Sequence, residues 1–230
     1  MKVNREQFLQ ALQSVSAGLS QRDIIEQSSC FVLDQGEVLT FNDEVSCRHK
    51  SGLPKEVKGA VKAEYLLEQL QKRPDETMEL EVTDTALIFK GKNKGSWKST
   101  HNMEAEVFLP IDSVERPEEW VKLDETFADA IGMVSHCAGT DESKYDLTCV
   151  HISPKWVEAC DNFQMCRWRL RTGVSTSILV KAVSIKQIVS LGMIELGETE
   201  HWLHFRSASG LVYSCRRYME DYKDIGHVLK

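Results

Sequence analysis

Phe8-Leu9-Gln10-Ala11-Leu12-Gln13-Ser14-Val15-Ser16 returns 119 residues later as Phe127-Ala128-Asp129-Ala130-Ile131-Gly132-Met133-Val134-Ser135. In both copies the apolar side chains fall at i, i+3, i+4 and i+7, the spacing of one buried face on an amphipathic helix. The same shift, without a gap, aligns residues 6–63 with 125–182. Further identities are Glu6/Glu125, Cys30/Cys149, Val38/Val157, Cys47/Cys166, Arg48/Arg167, Val61/Val180, Lys62/Lys181 and Ala63/Ala182. Twelve identities in 58 positions exceed the roughly three or four that average composition would give. Leu12/Ile131, Leu33/Ile152 and Leu66/Ile185 are conservative exchanges on the same frame.

Working outward, each copy carries one layout. Asn4 and Asp124 stand where N-caps belong. Alternating runs at 29–33 and 38–41 are predicted strands, joined by a hairpin turn at Asp34-Gln35-Gly36. Val-Lys-Ala then leads into a second helix, 64–72 or 184–191, stopped by Pro74 and by Gly192. Later strands at 78–82 and 87–90 are answered by 202–205 and 211–216, with Ala86-Leu87-Ile88-Phe89 resembling Gly210-Leu211-Val212-Tyr213. The charged stretch at 117–123 separates the copies, giving domains 1–122 and 123–230. The predicted class is α+β: tandem domains, each with two helices packed on antiparallel sheets. Such domains can join edge to edge, and a constant rotation at the joint closes a ring.

A formal net charge of -7, 42% hydrophobic and 27% charged residues describe a chain with a core to bury, not a disordered one. No apolar run approaches the roughly 20 residues that span a bilayer, and the N-terminus lacks the apolar core of a signal peptide. The expected location is the cytoplasm. The cysteines (Cys30, Cys47, Cys137, Cys149, Cys160, Cys166 and Cys215) include no C-x-x-C pair and sit largely in apolar stretches, which reads as reduced core thiols and no metal site. His201 and His204 fall on opposite faces of an alternating run.

Catalytic signatures are missing: no phosphate-binding glycine loop, no H-E-x-x-H, no G-x-S-x-G. The acid pairs Asp43-Glu44 and Asp141-Glu142 lie in predicted turns, and no spacing supports Cys160 with His136 or His151 as nucleophile and base. The chain is expected to be no enzyme and to need no cofactor.

The opening Met1-Lys2-Val3 with Phe8 to Ser16, then hairpin, Val-Lys-Ala and second helix in that order, resembles the bacterial DNA polymerase III beta subunit, the sliding clamp. The resemblance covers the whole chain as that family's first and central domains; the third domain is absent from this chain. It implies the DNA-clamp fold: a ring of six such domains, sheets outside and helices inside, formed by self-association around duplex DNA. Such a ring is a processivity factor in DNA replication, with the replicative DNA polymerase and the clamp loader as partners and no membrane.

The resemblance also implies site residues. The family's peptide-binding groove maps onto Leu147, on a strand Asp146-Leu147-Thr148, and onto Cys160-Asp161-Asn162-Phe163-Gln164-Met165, where the family has Thr-Asp-Gly-His-Arg-Leu. It also maps onto Tyr222-Lys223-Asp224-Ile225-Gly226-His227-Val228-Leu229, with Lys223 in a proline position. Cys160, Asn162, Phe163, Met165, Lys223, His227 and Val228 are thereby groove candidates. Plain core packing remains the alternative for Leu147, Met165 and Val228, as does an ordinary exposed aromatic for Phe163. DNA-facing helices should be basic, yet residues 124–137 contain no lysine or arginine. The candidate cations are Arg22, Lys62, Lys72, Arg73, Lys181 and Lys186, with ordinary surface solvation as the alternative. A tandem-domain protein-binding scaffold that does not encircle DNA is the competing function.

Overall fold

The computed structural model describes residues 1–21, 25–91, 96–219, 222 and 226. They cluster into two compact units: Met1–Ser113 with Gly210–Val212, and Val114–Ser209 with Tyr213–Lys230. The division at Ser113/Val114 falls before the stretch 117–123. None of the described helices is long and apolar enough to cross a membrane.

Unit 1 runs β1 (Lys2–Asn4), α1 (Arg5–Val15), β2 (Cys30–Asp34), β3 (Glu37–Phe41), β4 (Val45–Lys50), β5 (Gly59–Lys62), α2 (Ala63–Gln71), β6 (Thr77–Thr83), β7 (Ala86–Gly91) and β8 (Trp97–Glu104). Its strands follow the order β1-β6-β7-β8-β5-β2-β3-β4, antiparallel throughout. Asn4 caps α1 as expected, its side chain accepting from the Gln7 amide at 2.9 Å. The buried face of α1 is Phe8, Ala11, Leu12 and Val15, and Phe8 meets Phe89 of β7 at 5.9 Å between ring centroids. The hairpin between β2 and β3 has two loop residues, Gln35 (φ 50°) and Gly36 (φ 78°). Left-handed angles at both are what a tight loop between right-twisting strands requires.

Past α1 the chain turns close to β3. Thr40 Oγ1 donates to the Val15 carbonyl at 2.6 Å. A Cβ at Gly18 would stand 2.3 Å from that oxygen, so a side chain at 18 and a hydroxyl at 40 exclude one another.

Unit 2 repeats the plan with β9 (Val121–Lys122), α3 (Phe127–Ser135), β10 (Cys149–Ser153), β11 (Trp156–Cys160), β12 (Met165–Arg169), β13 (Ile178–Lys181), α4 (Ala182–Ile185), β14 (Met193–Glu198), β15 (Trp202–Ser207) and β16 (Val212–Arg216, whose residues from Tyr213 belong here). One sheet is ordered β12-β11-β10-β13, and the other strands follow β16-β15-β14-β9. The shift of 119 carries β2 onto β10, β3 onto β11 and β5 onto β13, and their registers agree: Val32↔Leu39 in one, His151↔Glu158 in the other. Phe127 meets Phe205 of β15 at 5.9 Å, the same contact as Phe8 with Phe89. The expected α+β class, with two helices per repeat on antiparallel sheets, holds.

Several local expectations are corrected. Phe205 lies on β15, so the counterpart of β7 is β15 and not residues 210–213, which lead into β16. Two strands, β8 and β14, went unpredicted between or beyond these. The inward positions of β8 include Ser99 and His101, a buried polar pair joined at 2.9 Å, so its alternation does not register as hydrophobic. The helix predicted from Asp124 begins later. Asp124 forms a turn in which its carboxylate accepts from the Thr126 amide at 2.9 Å and hydroxyl at 2.7 Å, and Thr126 occupies the N-cap without a side-chain cap bond. The second helix of unit 2 is one α-turn, continued as a 3-10 segment over Lys186–Ser190. Leu147 is on a 3-10 turn, Tyr145–Thr148, not on a strand; Tyr145-Asp146 closes locally, and the Leu147 amide bonds back to the Lys144 carbonyl at 3.0 Å.

Candidate functional site

Five groove candidates gather at one end of the β10-β11-β12 sheet of unit 2. The Leu147 carbonyl accepts from the Gly139 amide at 2.7 Å, and a Cβ on Gly139 would touch both Leu147 and Asp161. Leu147 thus lies beside the turn joining β11 to β12. In that turn the Asp161 carboxylate accepts from the Phe163 and Gln164 amides, each at 2.7 Å, and these bonds hold it below the usual carboxylate range. Asn162 is exposed at the tip and Phe163 is 96% exposed. Gln164 Nε2 reaches back to the His136 carbonyl at 2.9 Å, fastening the turn to the end of α3.

Behind the tip, Cys160 and Met165 are cross-strand partners. Cys160 is buried and Met165 half-buried. The Tyr222 hydroxyl donates to the Cys160 sulfur at 3.3 Å, and the Tyr222 ring stacks on His151 at 4.6 Å. Burial, first, and the Cys160 contact, second, raise the phenol pKa. Lys223, His227 and Val228 lie outside the described residues. An exposed aromatic beside a half-buried thioether and leucine is an arrangement that can anchor a short apolar segment.

The candidate cations differ among themselves. Lys62 and Lys181 sit at equivalent places, the N-caps of α2 and α4. A cation there opposes the helix dipole, so each is held by something else. Lys62 is exposed and donates to Ser29 Oγ at 2.8 Å. Lys181 is largely covered, 3.5 Å from Glu142 and 5.2 Å from the Tyr145 ring centre. Lys72, at the C-terminus of α2, pairs with Glu68. The Arg73 guanidinium lies 4.5 Å over the Trp97 ring, and Lys186 is exposed after α4. Arg22 lies outside the described residues.

Sequence reasoning found these cations but not their surroundings. Among the described residues, the exposed faces of α1, α2 and α3 also present Glu6, Glu64, Glu68 and Asp129. In unit 2, Met133 of α3 with Val183 and Val189 of the second helical segment are 45–72% exposed around a groove of about 490 Å³. The helical face is thus mixed in charge in unit 1 and partly apolar in unit 2. The break in apolar spacing at Met133 was the available signal.

No family model matches the chain, and no curated protein matches it either. Solved structures do. The DNA polymerase sliding clamp of Bacillus subtilis is similar over 100% of this chain and 67% of that one, at a TM-score of 0.82 and 16% identity. The DNA polymerase III beta chain of Streptococcus pneumoniae covers the same shares at 0.80 and 18%. The sliding clamp of Pseudomonas aeruginosa, solved bound to griselimycin, does so at 0.80 and 14%. With the duplicated layout, the shared hairpin register and the two equivalent phenylalanine contacts, these likenesses assign the chain the fold of the bacterial DNA polymerase III beta-subunit sliding clamps.

Proposed function

We propose that the chain acts as two domains of a DNA sliding clamp, a non-catalytic subunit that joins other copies in a ring around duplex DNA and tethers a replicative polymerase. The observation that carries this reading is the similarity of the entire chain, both units included, to sliding clamps. In this reading units 1 and 2 are the first and central clamp domains. Leu147, Cys160, Asn162, Phe163 and Met165, with Lys223, His227 and Val228, form the part of the peptide groove that this chain supplies. Polymerase and clamp-loader segments would dock there through few anchors.

Contact with DNA rests on Lys62, Lys72 and Lys186, helped by Arg22, Arg73 and Lys181, and reads no bases. Because acids interleave with these lysines, the attraction is weaker than a uniformly basic hole would give. The test uses a nicked circular duplex and a clamp loader. Loaded protein should stay on the circle through gel filtration and leave once the circle is cut. Equal loss from circular and linear DNA would overturn the reading.

A second reading, a tandem-domain protein-binding scaffold without DNA encirclement, is favoured by one observation: the apolar side chains Met133, Val183 and Val189 exposed on the helices of unit 2. It predicts no difference between circular and linear DNA.

A further inference from the structure

Gly18 of unit 1 is replaced at the equivalent place of unit 2 by Cys137, while Cys47 is kept there as Cys166. In unit 1, Cys47 pairs across the strands with Thr40, is fully buried beside the Gly18 backbone, and is pushed up to about 12, first by that burial. Gly18 cannot carry a side chain because Thr40 fills the space. In unit 2 the partner of Cys166 is Ala159, so the hydroxyl is gone and position 137 holds a thiol. Burial first, and then the neighbouring Cys166 side chain, raise the pKa of that thiol. The Val134 carbonyl, whose counterpart takes the Thr40 hydroxyl, accepts the Cys137 amide at 2.9 Å, so that carbonyl keeps a donor. The bond from Gln164 to the His136 carbonyl fixes the two segments one residue before Cys137 and two before Cys166. Both cysteines are half-buried, unlike the buried Cys30, Cys47, Cys149, Cys160 and Cys215.

We propose that Cys137 and Cys166 are a redox pair, which a small-molecule disulfide oxidises to an intramolecular disulfide that locks the Asp161–Gln164 turn to the end of α3. The Cys166 thiolate attacks one sulfur of glutathione disulfide, forming a mixed disulfide and releasing one glutathione thiolate. The Cys137 thiolate then attacks the Cys166 sulfur, the new S–S bond forms, and the second glutathione leaves as thiolate. Two electrons pass to the oxidant, and the two cysteine protons go to solvent or to the departing thiolates. The low thiolate fraction of Cys137 makes the second step slow near neutral pH and faster as pH rises.

The test treats the intact chain with glutathione disulfide, quenches with an alkylating agent and maps peptides by mass spectrometry without reduction. Two thiols of seven should disappear into one cross-linked peptide pair containing Cys137 and Cys166, and dithiothreitol should restore both. Cys137→Ser should leave Cys166 as a glutathione adduct with no cross-link, and Cys166→Ser should likewise abolish it. Cys215→Ser should keep it. Because the readout is covalent mass, a partly destabilised variant does not blur it, and the result is independent of DNA or peptide binding. Alkylation of both Cys137 and Cys166 after oxidation, or a cross-link that runs to Cys160 instead, would overturn the proposal.

Discussion

Val32 and Leu39 face one another across the β2–β3 hairpin of unit 1, and His151 and Glu158 hold the same two places in unit 2. Arg48 and Arg167 complete each set. In unit 2 the buried Glu158 carboxylate accepts from Arg167 Nε at 2.5 Å and bonds His151 Nδ1 at 2.7 Å. The loops differ as well: Gln35-Gly36 takes two left-handed angles, which Pro154, with its fixed negative φ, cannot take. Register nevertheless stays the same. Backbone pairing and loop length set the register, while the side chains between strands change freely provided each buried polar group keeps its partner.

The comparison is broken first at the shared phenylalanines. Phe8→Ala and Phe127→Ala should each destabilise by about 3–5 kcal/mol, read from urea unfolding. A large loss in one and almost none in the other would mean that the two cores are not equivalent. Glu158→Ala should cost about 3–5 kcal/mol by leaving Arg167 and His151 without their acceptor, whereas His151→Val with Glu158→Leu, which imports the unit 1 pair, should recover much of it. Thermal melts of the single and double variants check this.

Glu158 also sharpens the contrast through pH. Burial pushes its carboxyl up, but the bonds from His151 and Arg167 outweigh burial and hold it below the ordinary value of 4.5. The folded pKa being the lower, its stabilisation is complete above the unfolded pKa and is lost as pH falls through the folded one. Glu158→Gln should therefore lose least, relative to the parent, in the most acid buffers, as seen in unfolding midpoints below pH 4.5.

Smaller effects lie at the turns and caps. Gly36→Ala should cost about 1 kcal/mol or more through its left-handed φ, measured by thermal unfolding. Asn4→Ala should cost about 1 kcal/mol and Thr126→Ala only a few tenths, since only Asn4 makes a cap bond. Equal losses would show that Thr126 caps in solution.

What could be read in advance follows from the same comparison. From Phe8 to Ala63 the repeat was legible because the first helix and the hairpin strands keep their spacing along the chain, so one shift serves all. After the second helices the counts differ, and Phe89 proves equivalent to Phe205, not to Tyr213. β8 was illegible because its inward positions include the polar Ser99 and His101, bonded to each other in the core. At the site, Asn162, Phe163 and Met165 were legible as one segment. Leu147 was placed on the wrong element because the resemblance implies a strand there, whereas Tyr145–Thr148 closes as a 3-10 turn. The cations were visible as residues, but their neighbours come from distant segments: Glu142 beside Lys181, Trp97 under Arg73.

The contact of Gly18 with Thr40 constrains how one arrangement can be converted into the other by single steps. Adding a side chain at position 18 first drives carbon to within 2.3 Å of a hydroxyl oxygen, a collision that the packed interior cannot relieve. Removing the hydroxyl first leaves a small void and one hydrogen bond fewer on the Val15 carbonyl, at about 1–3 kcal/mol, which a stable domain survives. A traveller between the glycine–threonine and cysteine–alanine states therefore has one passable road, with deletion before insertion. Gly18→Cys should misfold alone and be tolerated after Thr40→Ala.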